Sequence, residues 1–135
     1  MALAQYQGYL QERPSDAKAA AGLAISLVDL NRHDEAATWF QRAADLAPDD
    51  GGAQRNAAMA LLDAHQPDTA ARYAERAVGI RPQDAVAHDV YGQILMFQRR
   101  LPAALEQFQL AVRLDPQAAE ARAHLAQAQR LASGR

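Results

Sequence analysis

Four prolines divide the chain at equal intervals. Pro14, Pro48, Pro82 and Pro116 stand 34 residues apart, in the segments RPSD, APDD, RPQD and DPQA. Proline lacks the N–H and clashes with the preceding turn, so it can close a helix but not sit in its middle. Two residues after the first three prolines come Asp16, Asp50 and Asp84. A carboxylate there can accept a hydrogen bond from the free N–H groups that open the next helix. The fourth boundary has Ala118 instead, a weaker start. In LAPDDGGAQRNAAMALL, residues 46–62, Gly51 and Gly52 follow the boundary at once. Each is about 1 kcal/mol less favourable than alanine in a helix, so this joint is expected to be the loosest.

On this spacing the units run 17–50, 51–84 and 85–118, with half units at 1–16 and 119–135. Each unit breaks again near its middle, at NRHDEA, HQPDTA and RRLPAA. Asn31 suits the left-handed residue that ends many helices. Pro67 and Pro102 suit the first turn of the helix that follows. A unit is therefore predicted to be helix, short turn, helix.

A 34-residue helix pair resembles the tetratricopeptide repeat, and the resemblance extends to individual positions. The small residue where paired helices touch is Ala24, Ala58, Gly92 and Ala126. Alanines open the second helix at Ala36, Ala70 and Ala104 and recur at Ala43, Ala77 and Ala111. Between them lie Phe40 and Phe108, with Ala74 in the middle unit. The leucine of the first helix is Leu23 and Leu125, with Ala57 and Tyr91 between. The family's tryptophan position holds Ala20, Gln54, His88 and Arg122 and departs throughout. The resemblance implies an all-α, right-handed superhelical solenoid of antiparallel helix pairs, first helices on the concave side and second helices outside.

The ends differ from the units. Residues 2–13 match a second helix without its first, with Ala2, Tyr6 and Leu10 in the register of Ala36, Phe40 and Ala44. Leu3, Tyr6, Tyr9 and Leu10 are expected to leave apolar surface uncovered, a surface for self-association if the chain is not cut from a longer solenoid. Residues 119–135 read as a capping helix, with Arg122 and Gln129 on a polar outer face.

No catalytic pattern emerges. The chain has no cysteine, which removes disulfides, zinc–thiolate sites and thiol nucleophiles. His33 and His65 fall in the mid-unit turns, His88 at a packing position, and His124 toward the groove, where it could bind a carboxylate. Asp63, His65 and Asp68 do not form the two-ligand, one-turn spacing of a metal helix, so no metal or cofactor is expected. Ser15, Ser26, Thr38, Thr69 and Ser133 show no activating base at helical spacing. PDDGG lacks the lysine and the preceding strand of a phosphate loop. Arg99 and Arg100 read as solvated turn residues. A net charge of −2, with acids among the arginines, argues against nucleic acid. The opening MALAQYQGYLQERP has no signal-peptide form, and no apolar run approaches a membrane span, so a cytoplasmic location is expected, or a periplasmic one if the native start is missing. Alanine, and arginine in preference to lysine, suggest a bacterial source.

The concave face is left as the expected site. First-helix positions three and four apart share a face. They give Lys18, Ile25, Val28 and Asp29; Arg55, Asn56, Met59, Leu62 and Asp63; Val86, Asp89, Val90, Gln93, Met96 and Phe97; and His124 and Gln127. Two grooves known in the family fit poorly. The carboxylate clamp for chaperone tails would fall on Ala21, Ile25, Asn56, Val86 and Val90, and the asparagine ladder of glycosyltransferases on Gly22, Asn56, Val90 and His124. Only Asn56 matches either. The reading is a non-enzymatic scaffold that takes an apolar or amphipathic peptide segment, with Met59, Met96 and Phe97 as contacts and Arg55 and Asp89 as complementary charges. The alternatives are self-assembly through the N-terminal helix and a recruiting segment of a larger enzyme.

Overall fold

A computed structural model describes residues 3–134. Met1, Ala2 and Arg135 lie outside them, so the register assigned to Ala2 has no structural counterpart. The described chain is eight helices: α1 Leu3–Glu12, α2 Ala17–Asp29, α3 His33–Leu46, α4 Gly51–Asp63, α5 Pro67–Ile80, α6 Ala85–Phe97, α7 Leu101–Leu114 and α8 Ala119–Ala132. Strands are absent among the described residues. Each of α2/α3, α4/α5 and α6/α7 is a close pair, and every helix also packs on the next. Beyond chain neighbours, α4 packs on α6 and α6 on α8, which puts the first helices on the inner radius of the stack.

The helix starts follow the aspartates. Asp16, Asp50 and Asp84 accept from the N–H groups of Ala19, Ala53 and Ala87 at 3.0, 3.1 and 3.2 Å. Ala118 caps nothing with its side chain. The Ala19 N–H and the Tyr9 hydroxyl (2.9 Å) both favour ionised Asp16, holding its carboxyl below the ordinary value. The same bond raises the Tyr9 phenol.

The first helices end alike. Asn31, His65 and Arg99 all stand at φ near +60°, at 60°, 61° and 60°. The following N–H reaches back to close the turn, from Arg32 to the Leu27 carbonyl at 2.8 Å, Gln66 to Leu61 at 2.9 Å and Arg100 to Leu95 at 2.9 Å. Asn31 was legible because asparagine tolerates this backbone; histidine and arginine give no such signal.

Small residues set how closely the helices approach. Ala24 and Ala58 are fully buried. At Gly92 a Cβ would stand 2.5 Å from the Phe108 ring, so glycine is what lets that ring seat against α6. Phe108, Leu23, Leu61, Ile94 and Leu95 are almost wholly buried between the layers. Two of the four positions where the family has tryptophan, Gln54 and His88, are buried polar anchors. Buried Gln54 donates to the Ala44 and Ala47 carbonyls at 2.9 and 3.2 Å, satisfying the end of α3. Buried His88 meets the Gln107 amide and the Pro82 carbonyl, both at 2.7 Å. Gly51 is buried beneath the Arg81 side chain, whose Cγ lies 2.9 Å from where its Cβ would be. Its lack of a side chain thus makes room for a crossing arginine.

The N-terminal helix corrects one expectation. Leu10 is buried, and Leu3, Tyr6 and Tyr9 are half-buried in a cluster with Leu23 and Leu27. Tyr6 lies over Gly22, where a Cβ would meet its ring at 2.5 Å. These four side chains are not an uncovered face, because α2 covers them.

Three outcomes follow for stability. Gly92→Ala should cost about 1–3 kcal/mol in chemical denaturation, because Phe108 must leave its rotamer or α7 must shift. Arg99→Gly should raise stability by about 0.5–1 kcal/mol by relieving the left-handed strain. Because Asp16 titrates lower when folded, its contribution is complete above the ordinary carboxylate pKa and is lost as pH falls through the depressed folded value. Acid titration followed by circular dichroism should therefore show a shallower loss for Asp16→Asn, which keeps the cap and removes the charge.

Candidate functional site

The first helices present their exposed faces in one row. Ile25 and Val28 come from α2, Met59 from α4, and Val86 and Phe97 from α6, and all five are exposed, Phe97 the most at 64% and Ile25 at 54%. They stand clear because the opposite faces of the same helices carry the leucines and alanines of the core. A shallow cleft of about 180 Å³ joins α2 to α4, lined by Val28, Phe40, Asn56, Met59, Ala60 and Asp63. Another of about 250 Å³, toward the helix starts, is edged by Lys18, Ala21, Asp50, Gly52 and Asn56.

The polar candidates divide sharply. Asp29, Asp63, Lys18 and Gln127 are exposed, and Asn56 is half-buried beside both clefts. Arg55 is not free for a partner: its guanidinium holds Asp84 at 2.8 Å, tying α4 to the start of α6. Asp89 is buried at 7% exposure and accepts from Gln93 at 3.1 Å. His124, expected to receive a partner's carboxylate, instead meets both Asp89 oxygens at 2.9 and 3.1 Å. Its ring also rests on Phe108, with centroids 5.6 Å apart. The charges expected to complement a partner, Arg55 and Asp89, are thus used within the chain. Sequence reading missed both pairs because the partners lie 29 and 35 residues apart.

Packing claims part of the apolar list as well. Val90 is buried, and Leu62 and Met96 are half-buried against the core clusters. Met96 therefore contributes to the seat of α7 more than to an open face, whereas Met59 and Phe97 remain available. What survives is an apolar row, Ile25, Val28, Met59, Val86 and Phe97, flanked by the acids Asp29 and Asp63. Among the described residues no group of three or more histidine and carboxylate side chains could hold a metal ion. No helix among them is long and apolar enough to cross a membrane.

Solved structures share this architecture. MamA from Desulfovibrio magneticus RS-1 superposes with a TM-score of 0.87 at 24% identity, over 97% of this chain and 74% of that one. YrrB, described as a tetratricopeptide repeat protein with an unusual peptide-binding site, gives 0.84 at 27% identity, over 98% and 69%. The first repeat domain of Spaghetti (RPAP3), solved with the HSP90 peptide SRMEEVD, gives 0.81 at 18%, over 87% and 93%. No curated protein sequence matches the chain. A family model described as tetratricopeptide repeat matches residues 2–51, 55–119 and 92–135, end to end along the sequence. With the paired helices and the small residues at each crossing, this places the chain in the tetratricopeptide repeat family.

Proposed function

We propose that the chain is a non-enzymatic protein-interaction scaffold whose concave face takes an apolar or amphipathic peptide segment. The observation that carries this reading is the exposed row of Ile25, Val28, Met59, Val86 and Phe97 on helices whose other faces are fully packed. Apolar side chains repeated along one concave face supply anchors for the alternate residues of an extended segment or for one stripe of a helix. Methionine and phenylalanine adapt to different partner shapes.

Chemistry narrows the partner. The HSP90 peptide bound by the RPAP3 domain is acidic. Here Ile25, Val86 and Val90 stand at three of the five clamp positions, and Asp29 and Asp63 add negative charge along the apolar row. An acidic tail on this face is disfavoured by both. Burial of about four side chains against a partner gains roughly 6–12 kcal/mol gross. Ordering and association cost about 4–15 kcal/mol. A single segment should therefore bind reversibly, around micromolar at best.

The test is selection from a displayed random-peptide library. Wild type should enrich peptides with spaced apolar residues, and Met59→Glu or Phe97→Glu should lose them by about tenfold or more, with helicity unchanged. Both sites are exposed, so neither substitution leaves a charge in the core. Enrichment of the same peptides by both variants would remove the concave face as the site.

A further inference from the structure

Two junctions on the outer side of the stack are built from the same positions, and only one is filled. Where α5 meets α3, Tyr73 is buried and donates to Asp45 at 2.8 Å, while Gln41 donates to its hydroxyl at 3.4 Å. Arg76 lies 5.0 Å from the Tyr73 ring centroid and 3.7 Å from Asp45. Aromatic ring, amide, carboxylate and guanidinium satisfy one another. Burial, reinforced by the Asp45 bond, raises the Tyr73 phenol.

One unit earlier, between α1 and α3, the corresponding residues are Trp39, Gln7, Gln11 and Arg42. The ring, the amide and the guanidinium are retained. The carboxylate is replaced by Gln11. Arg42 still lies over the ring, 5.6 Å from the Trp39 centroid, and donates to the Pro14 carbonyl at 3.3 Å. Among the described residues no carboxylate pairs with it. Where the other junction is closed, a cleft of about 460 Å³ opens, lined by Gln7, Leu10, Gln11, Pro14, Trp39 and Arg42. A second cleft of about 230 Å³ shares Gln7 and Trp39 with it and is also lined by Leu27, Arg32, Glu35 and Thr38.

We propose that this outer groove is a second binding site, and that its ligand is an acidic peptide segment. A ligand carboxylate would take on Arg42 the place that Asp45 takes on Arg76, as a charge-assisted pair. An apolar side chain next to it would cover the half-buried Trp39, and the Gln7 and Gln11 amides can both donate to and accept from a peptide backbone. The two clefts have Gln7 and the indole in common, which fits an extended chain. Arg42 is one cation without a carboxylate, and Arg32, the other cation lining the clefts, is paired with Glu35, so this is not a polyanion site. The site is separate from the concave face, so either reading can fail alone.

Trp39 is the one tryptophan in the chain, so its fluorescence reports on this groove directly. The probe is a short, end-blocked peptide of alternating glutamate and leucine, titrated against its lysine–leucine counterpart. The expected result is a saturable emission shift with the acidic peptide alone, retained in Met59→Glu. Arg42→Gln should weaken it about tenfold, and so should Gln11→Asp, which gives Arg42 an internal carboxylate as in the filled junction. Both positions are exposed, and circular dichroism verifies folding. The inference is overturned by any of three results: no saturable shift, equal response to the lysine peptide, or undiminished binding by Gln11→Asp. An emission shift that depends on protein concentration without peptide would also overturn it, by showing that a second copy fills the groove.

Discussion

Close approach of paired helices at one small residue per unit is the constraint on which the structure depends. Ala24, Ala58 and Gly92 let α3, α5 and α7 lie against α2, α4 and α6, and at Gly92 even a methyl group would collide with Phe108. Once the pairs are that close, the larger side chains have to reach the next unit to be buried. Leu61, Ile94 and Leu95 do so, joining units that could not exclude water alone. The 34-residue spacing repeats the same crossing, and repetition curves the stack so that the first helices share an inner face.

Part of the inner face's charge is used by the scaffold itself. Arg55 secures the start of α6 through Asp84, and Asp89 with His124 secures α8. These partly buried pairs hold one unit's register against the next, and an external partner finds them occupied. The row from Ile25 to Phe97 is left uncommitted. The outer face shows the same logic in reverse. Asp45 completes the α3–α5 junction, and the glutamine in its place at α1–α3 leaves the Arg42 guanidinium over the indole without a carboxylate partner.

The sequence made the helix pattern plain because its signals are local. Each proline acts on its own turn and each aspartate on an N–H three residues ahead, so spacing alone located α2, α4 and α6. Side chains that meet across units were harder to read. Arg55 and Asp89 look like groove charges until the neighbouring unit is folded against them, and Met96 looks like a contact residue until α7 and α8 pack beside it. Leu10 reads as exposed if α1 is taken alone and is buried once α2 covers it. His65 and Arg99 adopt a left-handed backbone because the repeat geometry demands it at that position, against their own preference. Trp39 and Arg42 gave no signal alone. Their meaning comes from comparison with Tyr73 and Arg76, one period away.

The central claim is that the concave face recognises a partner by apolar burial, Arg55, Asp89 and His124 being internally paired. Calorimetric titration of a library-selected peptide over a range of temperatures tests this most directly. Burial of the Ile25–Phe97 row predicts a clearly negative heat-capacity change, together with affinity that changes little with added salt. A heat-capacity change near zero, with affinity falling steeply in salt, would contradict the account and show that charge carries the recognition.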